Sequence, residues 1–515
     1  MSNPTQKKAL FFQFFYMVMG TALFLLPLIH AWMMYPLGLE NQQTSYSALG
    51  GLIPWSDAEG YFQGANHFLE TGVLNAWNTR RPLNAILFSI RLWLTNDNFR
   101  AALIIQALLC GISCVLVVKS VIGTFGKIAG IGTLFVLLAF AGFIPTTLSE
   151  TLGLTLGCLA FVFLWAAIQT QKNALFFSAG LMLMVGLNAR AGAFLVIPLL
   201  ILWLGYYFKN KSTDRLLQAF NWKIAIIFTA GLLGGLLFNF TLIKLYADPS
   251  STGGAMHGNF ALTLYGLVSG GKMWNYAYTV FPELASKSEA ELANFLYIQS
   301  FEQFKQNPLL LLLGFLRGWG GIIKGLISFF QADLSPLALK IFIRTLGFSF
   351  LTFGIWRLAK LYPIYKKEVG LLGIALLGMF LSAAGIWTDG GFRVFAVTVP
   401  FFAVAFGIVI GTRRLSTAQI QNKSPVRWEI PVAYALSYTL IVSALIGPLF
   451  IKSIQAAEVT PNFSCASNEI AIVAKNIAGA PYLNLANNVE KFSKNILDSI
   501  LENKKPFLNI LEPHL

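Results

Sequence analysis

The stretch WSDAEGYFQGANHFLETGVLNAWNTRRPLNAIL, residues 55–87, follows the first long apolar run of the chain. It sets Asp57, Glu59, Glu70, Arg80 and Arg81 among aromatic residues and then returns to an apolar run. Carboxylates and paired arginines this close to a hydrophobic segment raise two questions. One is whether the segment crosses a membrane, and the other is what the charges are for.

Composition answers the first. The 515 residues are 56% hydrophobic and 11% charged, with 45 Phe and 45 Gly, whereas soluble domains carry about a quarter charged residues. A soluble globule is excluded, and an all-α polytopic membrane protein is predicted. The formal net charge is +15, but Lys and Arg fall mostly in short loops between apolar runs, as orientation signals do. With no soluble basic domain, nucleic acid is not an expected partner. Cys110, Cys114 and Cys158 lie in apolar runs and Cys465 in a polar region. That pattern is neither a disulfide framework nor a zinc site. The N-terminal run is long for a signal peptide, and no A-x-A-like cleavage site follows it, so it reads as an uncleaved first span.

Apolar runs of roughly 20 residues, oriented by loop charge, place eleven spans. They lie at about 10–31, 100–120, 127–145, 151–170, 174–188, 191–208, 223–246, 336–358, 369–387, 391–411 and 429–451. Lys7 and Lys8 put the N-terminus in the cytoplasm, and every later loop then obeys the charge rule. The run NPLLLLLGFLRGWGGIIKGLISFF, residues 307–330, is long enough to span, but counting it reverses the rule downstream. It is therefore expected to lie in the outer interface with Arg317 and Lys324 snorkelling. PLNAILFSIRLWL, residues 82–94, is too short to span and is also expected to be interfacial. The divisions are 1–246, a transmembrane module; 247–335, an outer loop with an interfacial helix; 336–451, a second transmembrane module; and 452–515, a small external tail.

This orientation sorts the polar residues onto one side. Asp57, Glu59, Arg80 and Arg81 lie in the first outer loop, Glu150 and Arg190 at span ends, and Asp389 with Arg393 at the last outer turn before residue 411. His257, Lys272, Trp274 and Tyr278 lie in the long outer loop, where Gly253, Gly254, Gly270 and Gly271 permit movement. Read singly, each has a plain alternative. Arg190 and Arg393 suit interfacial anchoring, and Glu150 suits a helix N-terminus. Asp57 suits a cap of a helix beginning near Glu59, Arg80-Arg81 suits lipid headgroups, and the loop aromatics suit an interfacial belt. Their convergence on one face points to a single site at the outer interface.

The order of these features resembles the GT-C class of integral-membrane glycosyltransferases, which includes protein O-mannosyltransferases and lipid A aminoarabinose transferases. Carrying the resemblance are SDAEGY, TRRPLNAIL opening an interface helix, and FRAALIIQALLCGISCVLVVKSVIG. FIPTTLSETLGLTLG, GLNARAGAFLVIPLLIL and DGGFRVFAVTVPFFAVAFG follow, so the match covers residues 1 to about 411. The chain departs in Arg81-Pro82-Leu83, where relatives often show Lys-Pro-Pro, and in its acidic pair Asp57-Ala58-Glu59.

The resemblance implies a seven-span catalytic half, a polyprenyl-phosphate sugar donor, and Asp57 as general base. Arg80, Arg81 or both, together with Arg393, would hold the donor phosphate, with Arg190 a looser match. Glu59, Glu150, His257, Lys272, Trp274, Tyr278 and Asp389 are candidates for contact with substrate. No cofactor is expected, and a divalent metal is not favoured. The acceptor is a glycan, lipid or protein hydroxyl, and membrane lipids surround the chain. The expected location is a bacterial inner membrane, with the site and tail outside. Because a lipid phosphate leaves without needing a proton, one carboxylate suffices where glycosidases use two. A partly desolvated loop would suit that carboxylate's basicity, and guanidinium forks suit the phosphate. The rival readings are a lipid-linked-glycan flippase or transporter, or a polymerase or ligase. Transporters typically carry repeats and midplane charges, and neither is evident here.

Overall fold

The computed structural model describes residues 15–34, 47–48, 53–54, 56–209, 219–248, 258–327, 337–411 and 428–451. His257, Gly253, Gly254, Cys465 and the tail 452–515 lie outside the described residues. The described residues are helical apart from a two-residue antiparallel pairing of Ser47–Ala48 (β1) with Ile53–Pro54 (β2) and an isolated bridge between Leu74 and Ala247. In chain order the helices begin with α1 (Phe15–Met33), α2 (Asp57–Thr71), α3 (Pro82–Leu94), α4 (Phe99–Phe125), α5 (Lys127–Phe140) and α6 (Ser149–Thr170). They continue with α7 (Asn173–Ala189), α8 (Val196–Tyr207), α9 (Trp222–Tyr246), α10 (Gly258–Val268), α11 (Tyr276–Val280) and α12 (Glu289–Gln306). The last five are α13 (Pro308–Ile327), α14 (Leu337–Leu361), α15 (Lys366–Gly390), α16 (Val399–Gly411) and α17 (Glu429–Ile451).

Among the described residues, seven helices are long and apolar enough to cross a membrane: α1, α4, α6, α9, α13, α15 and α17. Six of them fall on spans expected from the sequence. The seventh, α13, is the segment assigned to the interface, and by length and composition it is a candidate span. Conversely, α14 falls on an expected span and is not among the seven; it carries Lys340, Arg344, Arg357 and Lys360. The expected spans at 127–145, 174–188, 191–208 and 391–411 contain apolar helices of 10–17 residues. At 1.5 Å per residue, such a helix covers less than the roughly 30 Å of hydrocarbon.

Local chemistry sets several helix ends. The Asn98 side chain accepts from the Ala101 amide at 3.0 Å and caps α4. Asn221 does the same for α9, from Ile224 at 3.2 Å. Pro82 opens α3 at the position where a missing N–H costs nothing. Gly72, with φ 69°, closes α2 in the left-handed conformation.

Helix α6 is the axis of the bundle, with 94% of its spanning window buried, against 17% for α1 and α13 at the periphery. Its aromatic side chains reach three neighbours: Phe161 meets Phe401 of α16, Phe163 meets Tyr434 of α17, and Trp165 meets Phe125 of α4. The thiols of Cys114 and Cys158 lie 3.7 Å apart between α4 and α6, and Cys110, Cys114 and Cys158 are all free. Helix α9 divides along its length. Leu233, Leu237 and Phe240 are exposed, as a lipid face requires, while Gly231, Gly235, Asn239 and Leu242 are buried at helical spacing. The α3 helix, expected at the interface, is covered on nearly every side from Pro82 to Leu92. Asn84 in its first turn donates to the Ala189 carbonyl at 2.7 Å, which ties α3 to the end of α7.

Candidate functional site

Helix α2 begins at Asp57 itself, so Asp57 does not cap a helix starting further on. Ser56 precedes it at φ 57°, a left-handed conformation uncommon for a residue with a side chain. The Asp57 side chain is 50% exposed, more open than the partly desolvated loop expected from the sequence. The Thr147 hydroxyl donates to the Ala58 carbonyl and holds this first turn against the start of α6.

Two glycines one turn apart let the next segment come close. A Cβ at Gly60 would meet the Trp77 ring, and one at Gly64 would run into the Asn78 amide. Through this gap the Asn78 side chain donates to the Gly60 carbonyl at 3.1 Å. The 3-10 turn Asn78–Arg80 is thereby fixed beside α2, and it delivers both arginines to the same place. Arg80 Nε donates to the Trp77 carbonyl at 3.1 Å, and its guanidinium lies 4.8 Å from the Trp77 ring centre. Arg81 Nη1 donates to the Tyr61 hydroxyl at 2.8 Å and reaches Ser149 Oγ at 3.4 Å.

Beside Ser149, Glu150 is fully buried in the first turn of α6. Its Oε1 takes Arg190 Nε at 3.4 Å and Arg393 Nε at 2.5 Å. Arg393 Nη2 continues to Asp57 Oδ2 at 3.2 Å. Residues distant in sequence thus join in one chain of alternating charge, Arg190–Glu150–Arg393–Asp57. Small residues make it geometrically feasible. A Cβ at Gly157 would strike the Val397 backbone, one at Gly192 the Val394 carbonyl, and one at Gly153 would crowd Arg190 and Ala396. The segment 394–397 therefore lies in a trough on α6 and on the turn after α7, and the 3-10 turn Gly391–Phe395 points Arg393 at both carboxylates.

A cavity of about 420 Å³ opens at these elements. Asp57, Arg80 and Arg81 line it, as do Tyr61, Trp77, Asn188, Gly192, Asn239 and Val394. From the long loop, Phe260 and Thr263 of α10 reach it, whereas Lys272, Trp274 and Tyr278 do not. Lys272 sits 5.5 Å over the Tyr276 ring, and Trp274 meets Tyr278 edge-on at 6.4 Å, so these residues pack among themselves. Glu59 accepts from Gln63 at 2.6 Å, one turn along α2, and is not a lining residue. Asp389 stands at the end of α15, where its neighbour Ile386 lines the cavity. Gly270 and Gly271 hold φ of 86° and 76°, and the Gly270 carbonyl accepts from Arg317 of α13 at 2.6 Å.

Among the described residues, the cavity lining and the ion chain bring together the guanidiniums of Arg80, Arg81, Arg190 and Arg393 with the carboxylates of Asp57 and Glu150. Guanidiniums at a cavity can hold an anionic group. Among the described residues, no group of three or more His, Cys, Asp or Glu side chains forms a metal-ligand set. No protein-family model and no curated protein matches the chain.

Proposed function

We propose that the chain is a GT-C-type glycosyltransferase that moves a sugar from a polyprenyl-phosphate donor to an acceptor hydroxyl at the outer membrane face. The observation that carries this reading is one cavity wall holding Asp57, Arg80 and Arg81, with Arg393 in contact with Asp57. In the transfer, the acceptor oxygen forms a bond to the anomeric carbon as the bond from that carbon to the phosphate oxygen breaks. The bonding pair leaves with the phosphate, the acceptor proton passes to the Asp57 carboxylate, and configuration inverts. Arg393 is engaged by both carboxylates. Arg80 and Arg81 line the cavity, where their guanidiniums can meet the charge that grows on the phosphate.

The reading brings a topology with it. Eleven spans place the N-terminus in the cytoplasm and the cavity outside, in a bacterial inner membrane, with α13 in the outer interface.

The test is donor consumption. Purified protein is given a panel of radiolabelled polyprenyl-phosphate sugars with an extract of the native envelope. Release of polyprenyl phosphate and a product of inverted anomeric configuration are expected. Consumption of no donor would sink the reading, and movement of a lipid-linked sugar across the bilayer would be measured instead.

A further inference from the structure

The cavity lining also includes uncharged polar side chains. Asn239 sits on the inward face of α9, is 4% exposed, and lines the cavity. Among the described residues, no group donates a hydrogen bond to its buried Oδ1. An unsatisfied buried acceptor costs about 1–3 kcal/mol, so a native protein that keeps one calls for a reason. Within an apolar helix the expectation is sharper, since polar side chains there line ligand sites or pathways.

Neighbouring contacts hold Asn239 in place. One turn before it, Gly235 packs against Leu181 and Met184 of α7, where a Cβ would be crowded. The Gly235 carbonyl accepts from the Asn188 side chain at 3.3 Å. Asn188 lines the same cavity and stands two residues before Arg190. The α7–α9 crossing therefore fixes two side-chain amides at the cavity. Glu150 Oε2 is also buried without a hydrogen-bond partner among the described residues, but it does not line the cavity.

We propose that Asn239 is the residue that reads the sugar of the donor, accepting a hydrogen bond from a carbohydrate hydroxyl while the arginines take the phosphate. This rests on the glycosyl-transfer reading above. The assignment follows from donor and acceptor inventory. An ionised phosphodiester offers only acceptor oxygens, so it cannot satisfy an amide carbonyl. A hydroxyl-rich ring can. A site that hydrogen-bonds a substrate hydroxyl discriminates against ligands lacking it, because its buried polar group is then left unpaired.

The test compares two probes on wild type, Asn239→Leu and Asn239→Ala. One probe is undecaprenyl phosphate; the other is the undecaprenyl-phosphate hexose or pentose that wild type binds most tightly from a panel. Expected is a loss of about tenfold in affinity for the sugar-bearing lipid in both variants. Affinity for undecaprenyl phosphate should be unchanged, and melting in detergent should be no lower for Asn239→Leu, which removes the unpaired acceptor and keeps the branched shape. Equal losses for the two lipids, or no loss for either, would overturn the role of Asn239 while leaving the transferase reading intact. Wild type that binds neither lipid would overturn both.

Discussion

Glu150 and Asp57 hold the same guanidinium, through Nε and Nη2 of Arg393, yet their surroundings differ. Glu150 is fully buried and joins Arg190 to Arg393, whereas Asp57 reaches Arg393 with half of its side chain open to solvent at the cavity. The first carboxylate is locked between two cations within the bundle. The second has an open flank from which to take a proton. A buried ion cluster contributes little net stability when intact but is costly to break, because a removed partner leaves uncompensated charge behind. A half-exposed pair is screened and holds little. On the proposed reading, the same residue chemistry has a structural use where the carboxylate is buried and a reactive use where it faces the cavity.

That contrast can be broken in graded steps. Glu150→Gln should have the largest effect, since it strands Arg190 and Arg393 around a neutral amide. A loss of about 3–5 kcal/mol is expected, read as a marked fall in melting temperature in detergent. Arg81→Ala acts on the wall instead. Turnover of a polyprenyl-phosphate sugar should fall roughly 10²–10³-fold, the scale of losing one oriented donor to developing charge, with a smaller fall for Arg81→Lys. Gly157→Ala sharpens the account of how the ion cluster is assembled, since its Cβ would meet the Val397 backbone. Overpacking there should cost about 1–3 kcal/mol and lower turnover by displacing Arg393. Asn98→Ala, far from the cavity, removes only the α4 cap and should cost about 1 kcal/mol with turnover unchanged. Should Asn98→Ala lower turnover as much as Arg81→Ala, activity would be tracking stability alone.

The gathering of the charged residues is legible in the sequence through the loop-charge expectation. The charge rule puts Asp57, Arg80, Arg81, Glu150, Arg190 and Arg393 on one face, and the fold joins these six around one cavity and one ion chain. Their pairing is not legible. It depends on Gly153, Gly157 and Gly192 admitting the 394–397 backbone, and glycines abound in this chain without marking which ones a distant segment will press against. Asn188 and Asn239 carry no charge, so orientation cannot flag them. For Asn239, the i, i+4 spacing from Gly231 and Gly235 is the available signal. The long loop misleads because its aromatic half packs on itself, while two quieter residues of α10, Phe260 and Thr263, reach the cavity. For α13 the two sources of information diverge: length and hydropathy fit a span, and loop charge fits an interfacial helix.

The central claim is that the Asp57 carboxylate does chemistry while the ion cluster beneath it holds the site together. Asp57→Asn tests it most directly when turnover, donor binding and melting are measured on the same preparation. Turnover should fall about 10²–10⁴-fold, the usual contribution of a general base, with donor affinity and melting temperature close to wild type. A variant that keeps its turnover, or that loses turnover only in step with its melting temperature, would contradict the claim.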